Sequence, residues 1–371
     1  MPTVIFKPTE QCNARCTYCD VVKQSELKTM DVGMLELVLT RMNDYLMEFP
    51  EKEFEFVWHG GEPLLLSDEF FETAIRCMET TCAQTRSRIR HCIQTNLTMI
   101  QPKHIDFFKR LDIHSIGTSF EPIPGIRGIG KKINSELYNE RFFHGISLLE
   151  SHDISWGFIY VVTKKSLEDP EGLWYTLTNL KPDGGFMMNA VLLYDNEDDG
   201  IGITPMEYVD FLGRLFPLWW KHRDRWPLVD PFSSLLHNVQ GSNDLGCVDS
   251  GGCGYAHVYI GPVGQASQCG RSADWGLIDY GNIKDRSLRE IMEDPKREMF
   301  FERQDYLMHN DCKGCRFWKV CHGGCALDAW DAEEKNHMRK THWCSLRSVF
   351  IEKYFEPVTG LKFNAYADAD N

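Results

Sequence analysis

Six short stretches of the chain, 3–7, 54–59, 89–95, 113–119, 155–163 and 186–193, gather β-branched and aromatic residues in runs that predict strands. Between the first two, Leu35, Val38, Leu39, Met42, Tyr45, Leu46 and Phe49 recur at the three- and four-residue spacing of a helix with one apolar face. Segments 68–78, 102–111, 136–150 and 169–180 repeat that spacing. Strand and helix in regular alternation predict an α/β fold with a parallel sheet and helices outside it. Six units suit a partial (β/α)6 barrel better than the eight of a closed one. Functional side chains are then expected in the loops after the strands' C-terminal ends. A connecting helix is predicted over 205–225, after which Gly, Ser, Asn and Asp become frequent between 241 and 254. That shift divides the chain into a barrel with its connecting helix (1–235), a small cysteine-rich domain (236–356) and a C-terminal tail (357–371), with no internal repeat.

With 371 residues, 43% of them apolar, the chain has enough for one large core and a satellite. A formal net charge of -14 argues against a phosphate-binding surface, so no nucleic acid is expected as a partner. No stretch has the roughly 18 to 20 apolar residues of a membrane span, and the N-terminus lacks a secretion signal. A cytoplasmic protein with no membrane association is the expectation. In a reducing compartment, 14 cysteines point to metal binding rather than to disulfides.

Directly after the first predicted strand comes Cys12-Asn-Ala-Arg-Cys16-Thr-Tyr18-Cys19. Three thiolates on one loop hold three corners of a [4Fe–4S] cluster and leave the fourth iron open. A partial zinc site or three unrelated core thiols are the plainer readings of the same residues. After the second strand comes His59-Gly60-Gly61-Glu62-Pro63, after the third Gln94-Thr95-Asn96, and Ser119 ends the fourth. The cysteine motif resembles the signature of the radical S-adenosylmethionine (SAM) superfamily, and Gly60 to Pro63 resemble that family's GGEP segment. The resemblance implies that the open iron chelates the methionine part of SAM, that Glu62 receives its ammonium, and that Tyr18 lies beside the adenine. It also implies a reductively generated 5'-deoxyadenosyl radical. Thr95, Asn96, Ser119 and Arg127 are candidate SAM contacts, with Asn189 and Val191 as weaker ones whose alternative is core packing. The family's Ser-x-Asp-Gly at strand four is replaced here by Ser119-Phe120-Glu121-Pro122.

Eight more cysteines run Cys247-x5-Cys253-x15-Cys269, then Cys312-x2-Cys315-x5-Cys321-x3-Cys325-x18-Cys344. Spacing alone fits either two [4Fe–4S] clusters or two zinc sites. The series, with Gly281-Asn282-Ile283 after its third cysteine, resembles the SPASM domain of sulfatase-maturing enzymes and ribosomal-peptide maturases. By that resemblance Cys247, Cys253, Cys269 and Cys325 hold one auxiliary cluster and Cys312, Cys315, Cys321 and Cys344 the other, giving three [4Fe–4S] clusters in all. Full cysteine ligation implies electron transfer and structural support as the auxiliary roles. Cys77, Cys82 and Cys92 show no ligand pattern and read as core thiols.

The resemblance implies an enzyme that abstracts hydrogen from a peptide or protein side chain, and oxidative crosslinking of a ribosomally made peptide is the leading expectation. Sulfatase-maturing relatives carry an Asp after the third SPASM cysteine as general base, whereas this chain has Gly270 there. Glu121, Asp195, Asp249 and Asp274 are the substitute candidates, each of which is otherwise an ordinary turn or solvated carboxylate. Alternatives are a sulfatase-maturing enzyme with a rearranged base, a SAM dehydrogenase of a small molecule, and a zinc-tied interaction protein. An electron donor such as flavodoxin or ferredoxin is implied. Because the first strand begins near Thr3, leader recognition is expected from the catalytic body or from a separate leader-binding protein.

Overall fold

The computed structural model describes residues 1–19, 26–130, 132–192, 200–241, 246–331 and 333–362. Of the expectations above, Asp195, the end of the sixth strand at Leu193 and the tail beyond 362 lie outside the described residues. The chain forms two compact units interleaved in sequence: Met1–Ile159, Pro182–Gly184 and Tyr255–Lys296 make the first, and Tyr160–Lys181, Gly185–Gly254 and Arg297–Asn371 the second.

In the first unit, strands β1 (Thr3–Thr9), β2 (Phe54–Gly60), β3 (Ile89–Gln94), β4 (Ser115–Ser119) and the start of β5 (Ser155–Val162) lie side by side in that order. All four pairings are parallel. Helices α1 (Val32–Glu48), α2 (Asp68–Glu79), α3 (Pro102–Arg110) and α4 (Ser135–Glu150) return the chain between strands. The predicted helical stripe of α1 is the buried one, since Leu35, Val38, Leu39, Met42 and Leu46 are inaccessible. Strand pleating sorts β2 by parity: Phe54, Phe56 and Trp58 are buried, while Glu55, Val57 and His59 point to the other face. Trp58 stacks on Phe71 of α2 at 5.7 Å, and Phe71 on Phe107 of α3 at 5.1 Å, which joins strand and helices in one apolar layer.

Two features of this unit differ from the pattern-based expectation. The fourth strand begins at Ser115 rather than 113, because α3 closes with Asp112 in the left-handed region (φ 62) and Ile113 N–H donating to Phe108 O at 2.8 Å. That paired closure of a helix end consumes residues that look strand-like in sequence. Second, β1 is not an edge. Strand β8 (His257–Ile260), from the cysteine-rich part of the sequence, pairs with it in parallel, Thr3 opposite His257 and Phe6 opposite Ile260. Strands β9 (Gln265–Ser267) and β10 (Asp279–Asn282) extend β8 antiparallel.

The second unit holds the end of β5, α5 (Pro170–Asn179), β6 (Phe186–Ala190), α6 (Pro205–His222) and β7 (Val229–Asp230), with β6 and β7 parallel. Phe216 of α6 packs among Trp219, Phe232, Phe350 and Phe355, ring centres 5.3 to 5.7 Å apart. Helix Glu298–His309 and the short turns after it carry most of the remaining cysteines. No helix among the described residues is long and apolar enough to cross a membrane.

Candidate functional site

The loop after β1 is built by its own residues and by β4's neighbour. Ala14–Cys16 pairs antiparallel with Arg127–Ile129, Cys16 opposite Arg127, and Cys19 N–H closes a turn onto Cys16 O at 3.1 Å. Cys12, Cys16 and Cys19 are electrostatic neighbours of one another. Burial pushes the Cys12 thiol up to about 11 and the Cys16 thiol to about 12, with neighbouring carboxylates and thiols adding to the rise. Desolvated thiols such as Cys12 and Cys16 ionise more readily beside a cation, which suits an iron–sulfur group.

The Gly-Gly-Glu-Pro turn after β2 is stitched to that loop. Gly61 N–H donates to Thr9 O and Glu62 N–H to Gln11 O, at 2.9 and 2.8 Å. Gly60 has φ +126, and a Cβ there would stand 2.3 Å from Thr9 O, so the approach of the two loops requires glycine. Glu62 is fully buried, and Pro63 opens a short 3-10 turn that Glu62 caps. The carboxylate accepts from Thr95 Oγ1 (2.7 Å), Asn96 N–H (2.7 Å) and Leu64 N–H (2.9 Å). Burial raises its pKa, against these hydrogen bonds and the nearby Arg127, which lower it. A carboxylate offers about four acceptor positions, and these hydrogen bonds occupy three. Asn96 ties the third loop to the first, donating from Nδ2 to Asn13 Oδ1 at 2.9 Å and to Cys12 Sγ at 3.8 Å.

Tyr18, Glu121 and Arg127 come together. Glu121, 3% exposed, accepts from Arg127 Nε at 2.6 Å and from Tyr18 OH at 2.9 Å. The guanidinium also donates to Tyr18 OH and to Tyr138 OH. Tyr138 in turn donates to the carbonyls of Asn96 and Ser119, at 3.3 and 3.2 Å. Arg127 thus has a buried carboxylate of its own, and the hydroxyl of Ser119 accepts from Gln94 at 3.2 Å. Asn13, Thr98 and Tyr138, which hold this network together, carry no motif that would have singled them out.

A third group gathers on the inner face of β1 and β2. Lys7, 3% exposed, donates to Asp274 at 2.9 Å, and its Cγ lies beside Gly60. His59 is exposed, with protein atoms close around its ring. That crowding, with the Lys7 ammonium nearby and Asp274 opposing, lowers its pKa to about 4. Asp274 ends the helix Gly270–Asp274, one turn from Gly270, whose N-cap is Cys269.

In the second unit, Cys312, Cys315, Cys321 and Cys344 line one cavity, together with Trp318, Gly323 and Arg347. Burial, with the facing thiols, pushes Cys312 up to about 12; burial also raises Cys321 to about 11, against the lowering effect of Arg347. Cys247, Cys253 and Cys325 line a second cavity with Arg303. Among the described residues no three His, Cys, Asp or Glu side chains are gathered as a single-ion site would need. Asp249, 7% exposed, is paired with Arg347, whose Nε donates at 3.0 Å. Asn189 is exposed on β6, while Val191 is buried and its N–H donates to Val162 O at 2.9 Å. Cys77 and Cys82 are buried and Cys92 is half-buried.

Residues 6–173 match the radical SAM superfamily, and residues 247–316 match SPASM, an iron–sulfur cluster-binding domain. The chain is 24% identical over 366 residues to the cysteine-type anaerobic sulfatase-maturating enzyme of Clostridium perfringens strain 13, covering 95% of this chain and 96% of that one. It is 24% identical over 347 residues to the serine-type enzyme of Bacteroides thetaiotaomicron, covering 87% and 82%. Among solved structures, native anSMEcpe with bound AdoMet and Cp18Cys peptide superposes with a TM-score of 0.82 at 21% identity, over 96% of this chain and 98% of that one. Streptococcus suis SuiB bound to precursor peptide SuiA gives 0.62 at 14%, over 93% and 76%. With the cysteine loop and GGEP turn after the first two parallel strands, and seven of the eight later cysteines lining two cavities, the chain is a radical SAM enzyme with a C-terminal SPASM domain.

Proposed function

We propose that this enzyme oxidises a side chain of a peptide or protein, in the manner of sulfatase maturation, using three [4Fe–4S] clusters and SAM. The relatives named above act on sulfatases by their names, which supports a protein substrate over a small molecule. Cys12, Cys16 and Cys19 hold the SAM-cleaving cluster; Cys247, Cys253, Cys269 and Cys325 hold one auxiliary cluster, and Cys312, Cys315, Cys321 and Cys344 the other. When bound, these groups with SAM supply a hydrogen-abstracting 5'-deoxyadenosyl radical and a one-electron oxidant. Glu62 takes the SAM ammonium at its remaining acceptor position. The observation that carries this reading is the stitching of the Gly61–Glu62 turn to the cysteine loop, Gly61 through Thr9 and Glu62 through Gln11 and Asn96, which holds a buried carboxyl near the three cysteines.

Of the carboxylate candidates within the described residues, Glu121 and Asp249 are locked in buried arginine pairs. Asp274 is held by Lys7 beside a neutral His59. The His59 imidazole, neutral at physiological pH, accepts the proton that leaves the substrate side chain on oxidation, with the Lys7–Asp274 pair as its nearby opposed charges. Peptide crosslinking is the second reading. It is favoured by Gly270, which supplies no acid–base group and leaves open space where a Cβ would meet nothing within 4 Å. Anaerobic incubation with SAM, a flavodoxin or ferredoxin donor and a sulfatase-derived peptide tests the choice. A new carbonyl trapped by a hydrazine supports formylglycine-type oxidation. A peptide that stays unmodified, while a precursor peptide encoded beside the gene loses hydrogen without gaining a carbonyl, supports crosslinking and brings in a leader-binding partner.

A further inference from the structure

Arg303 lies in the helix Glu298–His309 and is 2% exposed. Its guanidinium donates to three backbone carbonyls, Gly324 O from Nη1 and Gly323 O and Arg339 O from Nη2, each at 3.0 Å. Its Nε is buried and has no hydrogen-bond partner. No carboxylate pairs with it among the described residues. The groups that act on its charge are thiols, Cys325, Cys312, Cys253 and Cys321. Two of these belong to each of the cysteine sets assigned above, and Arg303 itself lines the cavity of Cys247, Cys253 and Cys325.

A buried cation without a counter-charge is expensive, and the dipoles of three carbonyls offset only part of that cost. A second buried arginine of this region, Arg347, behaves differently, since it has Asp249 as a bidentate partner and the pair is neutral as a whole. Two of the three anchoring carbonyls belong to the loop His322-Gly323-Gly324, whose three residues all have positive φ (45, 78 and 73). That loop joins Cys321 of one set to Cys325 of the other. The cation therefore sits at the crossing of the two sets, with no carboxylate among the described residues paired to it.

We infer that Arg303 is the shared counter-charge of the two C-terminal cysteine sets and raises the reduction potential of the groups they hold. This rests on the proposal that those sets hold iron–sulfur clusters rather than zinc. A fixed positive charge in a medium of low dielectric favours the more negative, reduced state of each neighbouring centre. Arg303 is a positioning and tuning residue, acting through the thiolates and not on substrate.

The test compares Arg303→Lys and Arg303→Gln in the full chain carrying Cys12→Ala, Cys16→Ala and Cys19→Ala, so that only the C-terminal centres give signals. Iron and sulfide per chain are counted after anaerobic reconstitution, and the reduced fraction is followed by electron paramagnetic resonance during potentiometric titration. The Gln variant is expected to show about a tenfold lower reduced-to-oxidised ratio at fixed potential, equivalent to about 59 mV for one electron, with the Lys variant close to the parent. Loss of iron in the Gln variant alone, with Lys retaining it, also supports a charge role. Full iron in the Gln variant with an unchanged potential overturns the inference, as does equal loss of iron in both variants, which would mark a clamp on the loop and nothing more. Zinc without iron in the parent protein overturns the cluster assignment itself, and that result is read before any variant is compared.

Discussion

Single residues in this protein are decided by what their neighbours leave unfilled. Glu62 is buried, and its carboxylate accepts three hydrogen bonds. Glu62→Gln keeps the shape and removes the charge, so SAM affinity is expected to fall by roughly 1.5 to 3 kcal/mol, about 10- to 150-fold, in anaerobic equilibrium dialysis. Gly323 has φ +78, and a Cβ would lie 2.4 Å from Leu307 Cδ1 in the apolar cluster beside Cys312. Gly323→Ala is expected to cost about 1 to 3 kcal/mol and to lower the melting temperature of the reconstituted protein. Crowded histidines, His91 and His104 among them, give the apoprotein a pH dependence. His91 and His104 accept at Nδ1, from Trp58 Nε1–H and Gln101 N–H, and burial lowers each to about 4. Unfolded imidazole binds its proton near pH 6.5, so between that pH and about 4 the unfolded state holds more protons and stability falls as pH falls. By pH 5.5 the loss is roughly 1 kcal/mol per ring, read as a lower denaturant midpoint, and His91→Gln with His104→Gln is expected to flatten the slope.

At the scale of elements, the apolar periodicity located the helices because a helix that must bury one face writes its spacing into the chain. The ends are set by local chemistry that is also legible. Thr204 and Glu207 form a reciprocal cap at the start of α6. Thr204→Ala is expected to cost about 1 kcal/mol in urea unfolding, with no change in SAM cleavage by the reconstituted enzyme. The pairing of Ala14–Cys16 with Arg127–Ile129 was not legible, because three-residue strands more than a hundred positions apart carry no period of their own. The same holds for β8, whose four residues look like any short apolar run until they are seen beside β1.

For the whole molecule, the expectation is additive. Reconstituted protein should carry about 12 irons, and replacing Cys12, Cys16 and Cys19 together by Ala should remove about four and abolish 5'-deoxyadenosine formation. Loss of more than four would mean that the first site supports the assembly of the others. The compact units are interleaved, with Tyr255–Lys296 counted with the barrel strands and Arg297–Asn371 with the connecting helix, so an excised 236–356 fragment would separate β8 from its partner β1.

Chain order alone determined the α/β alternation and the place of the cysteine loop and GGEP turn after the first two strands, because periodicity and motif spacing are local properties. Tertiary structure decided the rest. Glu121 and Asp249 look as available in sequence as Asp274, yet each meets a buried arginine, 6 and 98 positions away, whose charge it must balance. Lys7 and Asp274 are 267 positions apart, and Arg303 has no motif at all. Burial changes what a charge costs, and only the folded chain shows which charges are buried together.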